Sequence, residues 1–250
     1  MYRFFLFFIL TCLILFGCQK IKPKTIILSK AGDNYIQWIE DENIVVLDAY
    51  TIDNIDSILA LADGVILTGG EDINPLLYND TSNLAVCETI NHRRDSLEQR
   101  IFDYAFRHQI PLIGVCRGMQ MMNVATGGSL YGDLPSEIGT DVVHRNNGEV
   151  MHDIVVTDTC SLIFPLGKDT FTVNSWHHQG LKDISSYIQI VAKSHDGLPE
   201  AVVMDKAFHP FMIAVQFHPE RLGKEDPIHL QMKKSFFKAI GHQKNNLLNQ

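Results

Sequence analysis

Residues 110–123 read "IPLIGVCRGMQMMN": an apolar run, a cysteine framed by Gly114 and Gly118, then helix-forming residues. A buried strand entering G-x-C-x-G ahead of a helix is the thiol version of a nucleophile elbow. Its glycines make room for a strained turn that lifts the side chain out of the sheet. Cys116 would then stand at the positive end of a helix dipole, and the backbone N–H of Arg117 would face the same point and stabilise an oxyanion. A lone cysteine after a strand is more often a small buried hydrophobe, so the nucleophile reading requires a base elsewhere in the chain.

"AVQFHPE", residues 214–220, meets that requirement. His218 and Glu220 are two apart, which on extended backbone puts both side chains on one face, and Pro219 between them fits a strand end. A cysteine, a histidine and an acid that orients the imidazole are the parts of covalent acyl transfer. Gly69 and Gly70 close a third apolar run, "GVILTGG". They either turn the chain or let a backbone N–H approach an oxyanion.

Such groups need a scaffold that brings distant strand ends together. "TIIL" (25–28), "IVVL" (44–47), "GVILTGG" (64–70) and "IPLIGVC" (110–116) read as buried strands, with helical stretches near 33–40, 54–62 and 93–108 between them. That βαβα order predicts a parallel sheet covered on both faces. Residues 71–92 have no clear period and follow a strand's carboxyl end, a place for a binding loop or lid. Beyond residue 150 the rhythm changes to strands with few helices, at 152–156, 170–173, 188–193, 200–204 and 211–217, which predicts antiparallel hairpins added to the sheet. Residues 228–240 read as a last helix and 242–250 as a flexible tail.

The motifs "GVCRGMQMMNVATGGSLYGDL", "VNSWHHQGLK" and "VQFHPE", in that order, resemble class I glutamine amidotransferases. Within them the chain is most similar to the free-standing γ-glutamyl-γ-aminobutyrate hydrolase type, peptidase family C26, also through "DGVILTGGEDINPLLY" and "RRDSLEQRIFDYAFRHQIPLIGVCRG", so the resemblance covers residues 60–222. It implies a three-layer, flavodoxin-like α/β fold: a mostly parallel sheet with helices on both faces and added antiparallel strands. It also implies a triad of Cys116, His218 and Glu220, an oxyanion hole from the backbone of Gly70 and Arg117, and a glutamyl pocket lined by Gln120, His178 and Gln179. The implied activity is hydrolysis of a small γ-glutamyl amide through a glutamyl thioester, without a cofactor. An amidotransferase subunit delivering ammonia to a partner synthetase is the alternative, and a homodimer fits the branch.

The remaining polar residues have plainer expectations. Arg93, Arg94 and Asp95 should cap or brace their helix. Glu71 and Asp72 read as solvated loop acids in preference to contacts with a substrate amine, and "MQMM" (119–122) as core packing. His177 and His178 are adjacent and should point apart on an extended strand, with no third ligand at zinc spacing, so no metal is expected.

Composition bounds the rest. The chain has 250 residues and a formal net charge of −8, which argues against a nucleic-acid binder. Residues 1–18 read as an export signal. Arg3 precedes the apolar run Phe4–Phe16, and "LFGC" ends it at Cys18 like a lipobox, so the protein is expected to be lipid-anchored at a bacterial membrane. The alternatives are an uncleaved signal anchor or a cytoplasmic protein with a later start. A tether (19–24) would lead into one hydrolase domain (25–241). Cys87, Cys116 and Cys160 form no C-x-x-C pair; in an exported protein Cys87 and Cys160 could be bridged.

Overall fold

A computed structural model describes residues 22–247; the signal segment and Cys18 lie outside them. In chain order the first half forms β1 (Lys24–Leu28), α1 (Asp33–Ile39), β2 (Ile44–Asp48), α2 (Ile55–Leu59), β3 (Gly64–Leu67), α3 (His92–Arg107), β4 (Leu112–Val115) and α4 (Arg117–Ala125). The second half adds β5 (Leu130–Tyr131), α5 (Leu134–Glu137), β6 (Val150–Val156), β7 (Thr170–Ser175), β8 (Gly180–Leu181), β9 (Ile188–Ser194), β10 (Pro199–Met204), β11 (Met212–Val215) and α6 (Pro227–Leu247).

Nine strands form one sheet in the order β2-β1-β3-β4-β11-β10-β9-β6-β7. β2, β1, β3, β4 and β11 run parallel; β10, β9, β6 and β7 follow antiparallel. The expected α/β architecture is therefore present, and the stretch after residue 150 supplies its antiparallel half except for β11, which was expected in a hairpin but lies parallel to β4, because it returns the chain to the middle of the sheet between β4 and β10. Two pieces had no sequence signal: β5 and β8 are two residues each and pair only with one another. α6 also continues to Leu247, past the expected helix end, over part of the stretch expected to be a tail.

Successive strand residues face opposite sides of a sheet, and the core divides accordingly. Ile26 and Leu28 of β1 pack on one face with Trp38 of α1 and Phe236 of α6. Ile27 packs on the other with Ile58, Ile101, Met119 and Met122, so the "MQMM" methionines are core. Leu112, Ile113 and Val115 of β4 are wholly buried, each worth about 1.5–3 kcal/mol by burial of its side chain. This dry, two-sided cover explains why the parallel strands are continuous apolar runs.

Candidate active site

β3, β4 and β11 are neighbours and parallel, so their carboxyl ends open on one spot, where ligands of open α/β sheets bind. The Gly69–Gly70 turn leaves β3, Cys116 leaves β4 and His218 follows β11. Cys116 N–H donates to Val215 O at 2.8 Å, tying the elbow to the strand that delivers the histidine.

Cys116 has φ 51° and ψ −105°, with no capping bond from its side chain to α4. A left-handed non-glycine conformation costs on the order of 1–3 kcal/mol and persists only where the surroundings enforce it. The glycines permit it. A Cβ at Gly114 would lie 2.7 Å from Gly118 O, and one at Gly118 would collide with Leu67 O of β3. The strand and the helix therefore cross in backbone contact, and the sulfur is left facing the cleft.

His218 is buried, and its Nδ1 bonds Glu220 Oε1 at 2.7 Å. Burial alone would lower its pKa, but the hydrogen bonds and charges of Cys116 and Glu220 outweigh it and push the imidazole up to about 10. His218, Glu220 and Cys116, named together from the sequence, thus stand near one another, Cys116 and His218 both lying beside Gly69. Three further supports complete the surroundings; Asn174 and Trp176 lie in the quoted "VNSWHHQGLK" motif, though without a role named for them, and Tyr35 had no sequence signal. Asn174 brackets the His218 backbone, Trp176 sets its ring edge-on at 5.4 Å, and Tyr35 accepts from Gly69 N–H at 2.8 Å. Burial, then the Glu220 charge, keeps the Tyr35 hydroxyl well above its ordinary value and so neutral.

Gly70, Cys116, Gln120, His178 and Gln179 all line one cavity of about 370 Å³, with Glu71, Asp72, Glu88, Thr89, Arg145, Trp176 and His177. Gln120 Nε2 donates to Gln179 O at 3.2 Å and to Gln216 Oε1 at 3.3 Å, which fixes it in the cavity wall. Gln179 Nε2 donates to Cys87 Sγ at 3.4 Å. The residues named for the pocket are therefore together, although Gln120 and Gln179 are already engaged with protein groups.

The loop acids depart from expectation. Asp72 is buried, bonding His178 Nε2 at 3.1 Å and accepting from Glu88 N–H at 2.7 Å. Its hydrogen bond, set against burial and supported by Asp133, raises the His178 pKa. Glu71 pairs with Lys30 and Arg94; although burial opposes it, those partners hold its carboxyl well below the usual range. Solvation is replaced because the β3 turn folds these acids back over the ends of α3 and α4. Asp72 could have been suspected from its place after a strand's carboxyl end.

Beneath the Gly69–Gly70 turn lies a buried ionic network. Arg94 Nη2 donates to Thr68 O at 3.0 Å and to Gly69 O at 2.8 Å, and its Nε pairs with Glu98 at 2.9 Å. Arg117 pairs with Asp95 at 2.6 Å and with Glu98, and its Nε donates to Glu71 O at 2.9 Å. Arg94 and Asp95 do brace, as expected, but they brace the turn and the elbow as well as their helix. The role expected of Arg117 was its N–H alone; its side chain is the link between the two loops. A Cβ at Gly70 would strike the Arg94 guanidinium, which explains the glycine there.

Cys87, Cys116 and Cys160 are free thiols. Among the described residues no helix is long and apolar enough to cross a membrane.

Residues 22–220 match the family model of peptidase C26, which extends the likeness forward to β1. Over 198 residues the chain is 32% identical to the γ-glutamyl-γ-aminobutyrate hydrolase PuuD of Escherichia coli, covering 75% of this chain and 76% of that protein. It is 39% identical over 164 residues to protein NtpR of Enterococcus hirae, covering 63% of this chain and 66% of that one. Among solved structures, a glutamine amidotransferase from Methylobacillus flagellatus superposes with a TM-score of 0.59 at 18% identity, over 88% of this chain and 95% of the other, a likeness of fold. The chain is a hydrolase-type member of the peptidase C26 family, built on the class I glutamine amidotransferase fold.

Proposed function

We propose that the protein hydrolyses the γ-glutamyl amide bond of a small γ-glutamyl compound, with Cys116, His218 and Glu220 as the catalytic triad. The observation that carries this reading is that the strained Cys116, which opens on the cavity, stands beside His218 across Gly69, with His218 itself held by Glu220. Cys116 sulfur, its proton held on His218 Nε2, attacks the δ-carbonyl carbon as the thiolate. The oxyanion is held by the N–H groups of Gly70 and Arg117; as the first residue of α4, Arg117 has an N–H with no intrahelical acceptor. His218 then protonates the departing amine and the C–N bond breaks, leaving the thioester. In the second half His218 takes a proton from water, the hydroxide adds to the thioester carbon, and the C–S bond breaks to release glutamate.

The cavity's charges suit a zwitterionic glutamyl head group. Asp72 with His178 and Glu88 with Arg145 line the cavity as ion pairs, and each pair would open for the α-ammonium and α-carboxylate of the head group. Incubation of purified protein with a panel of γ-glutamyl amides, with Cys116→Ala as control, tests the reading. Glutamate release by the unaltered chain alone is expected; equal release by both proteins would end it. Release of ammonia from glutamine only when a synthetase is added would favour the amidotransferase subunit.

We also propose export and lipid attachment at Cys18. Labelling with a radioactive fatty acid, lost in Cys18→Ala, is the expected outcome, and an unlabelled protein in the soluble fraction would refute it.

A further inference from the structure

A second cluster lies behind the pocket wall, and the catalytic reading does not use it. Glu200, at the start of β10, is completely buried, and three imidazoles from separate segments converge on the same oxygen, Oε1. His152 Nε2 of β6 lies at 3.1 Å, His144 Nδ1 of the preceding loop at 3.5 Å, and His177 Nε2, after β7, at 3.7 Å.

Hydrogen bonding leaves much of this cluster unused. A carboxylate oxygen has two lone pairs, and of the three contacts to Oε1 only that of His152 is a hydrogen bond. His144 Nδ1, His177 Nε2 and Glu200 Oε2 are buried with no hydrogen-bond partner, an arrangement costly for polar atoms out of water. The charges point the same way. Every ion-pair partner of Glu200 and Asp196 among the described residues is an imidazole, with no lysine or arginine to balance two carboxylates.

The geometry points to a divalent transition-metal site of the zinc class: we infer that His144, His152 and Glu200 ligate the ion, and that His177, whose Nε2 stands outside that group at 3.7 Å from Oε1, moves in as the fourth ligand on binding. The donor atoms of His144, His152 and Glu200 lie within 4.8 Å of one another. Metal–ligand bonds of about 2.0–2.1 Å place tetrahedral donors roughly 3.3 Å apart, and the three nitrogens straddle that separation from Oε1. The outer nitrogens are already oriented. His144 Nε2 bonds Asp196 Oδ2 at 2.8 Å, and His177 Nδ1 bonds Gln179 O at 2.9 Å. Carboxylate and carbonyl partners of this kind fix the tautomer of ligating histidines. An ion here would pin the 144 loop and the segment carrying His178 and Gln179 to β6 and β10, making it a structural tie for the pocket wall. The inference is independent of the triad.

The test uses the full chain on a Cys116→Ser background, so that the cleft sulfur is not a ligand. After treatment with chelator and desalting, the protein is titrated with Zn²⁺ and Co²⁺, and metal content, visible spectrum and melting temperature are followed. One equivalent per chain is expected, with the strong d–d absorption of four-coordinate Co²⁺, no thiolate charge-transfer band and a raised melting temperature. His152→Ala should abolish stoichiometric binding. Asp196→Asn, which leaves every ligand in place, should weaken binding by about 10–100-fold, and His195→Ala should leave it unchanged. Failure of the soluble, folded protein to retain either ion, or retention unaltered by both His152→Ala and Asp196→Asn, would overturn the site.

Discussion

Asn174 grips His218 by both backbone polar groups: its Oδ1 accepts from the His218 N–H at 2.8 Å, and its Nδ2 donates to the His218 carbonyl at 2.9 Å. The imidazole's height above the sheet is therefore set from β7 as well as from β11. Asn174→Ala would leave the buried His218 N–H unpaired, at a cost of about 1–3 kcal/mol, and the carbonyl held by the Arg221 N–H alone. It should lower kcat for glutamate release by about tenfold or more while KM changes little, because the base is displaced and the head-group pocket is not.

Glu220→Gln should act on the same imidazole through its tautomer. Loss of the orienting acid in a comparable triad costs on the order of 10⁴ in turnover, and a fall of at least about 10²-fold is expected here. Steady-state rates together with an unchanged circular dichroism spectrum would separate this from unfolding.

His218 predicts a pH dependence. Its folded pKa of about 10 lies above the ordinary 6.5 because the Cys116 and Glu220 interactions outweigh burial. The stability it contributes is fully present below 6.5 and is lost as pH rises from there through about 10. Denaturant unfolding across that window should show the advantage of the unaltered chain over His218→Gln shrinking steadily. A long-range ¹H–¹⁵N spectrum should show the His218 midpoint falling in Cys116→Ala.

Glu98 is the acid between two buried arginines, Arg94 and Arg117. Breaking a buried pair by neutralising one partner costs about 3–5 kcal/mol, so Glu98→Gln should lower unfolding free energy by an amount in that range. Activity should fall further than stability explains, since Arg94 also holds the carbonyls of Thr68 and Gly69. Chemical denaturation measured beside the rate at saturating substrate checks both.

The two thiols near the cavity should react differently. Burial, then the Asp72 charge, pushes Cys87 up to about 11, which keeps it a poorly nucleophilic thiol at neutral pH. Brief treatment with iodoacetamide at pH 7 should modify Cys116 and leave Cys87 largely untouched, as read by peptide mass spectrometry.

The reach of local pattern explains which parts of the molecule were legible. Apolar runs bounded by turn residues marked β1 to β4 as parallel strands, because burial on both faces removes polar alternation; β11 was visible as a strand, but its parallel pairing with β4 was not. The elbow and the "FHPE" end were readable because their chemistry is confined to a few consecutive residues. β5 and β8 were not, since two-residue strands carry no period. Tyr35, the Glu200 cluster and the grip of Asn174 on His218 were not, since each works through partners far along the chain, although the motif around Asn174 was visible.

The amino-acid sequence by itself determined a thiol elbow, a histidine with its orienting acid, and the alternating elements able to deliver both. Only the tertiary structure decided that β3, β4 and β11 stand side by side, that Asp72 serves His178 instead of solvent, and that His144, His152 and His177 meet at Glu200. The physical reason is the difference between a turn and a crossing. Backbone sterics at Gly114 and Gly118 are written in adjacent residues. The partner of a buried charge is chosen by whichever segment the packed sheet brings within reach.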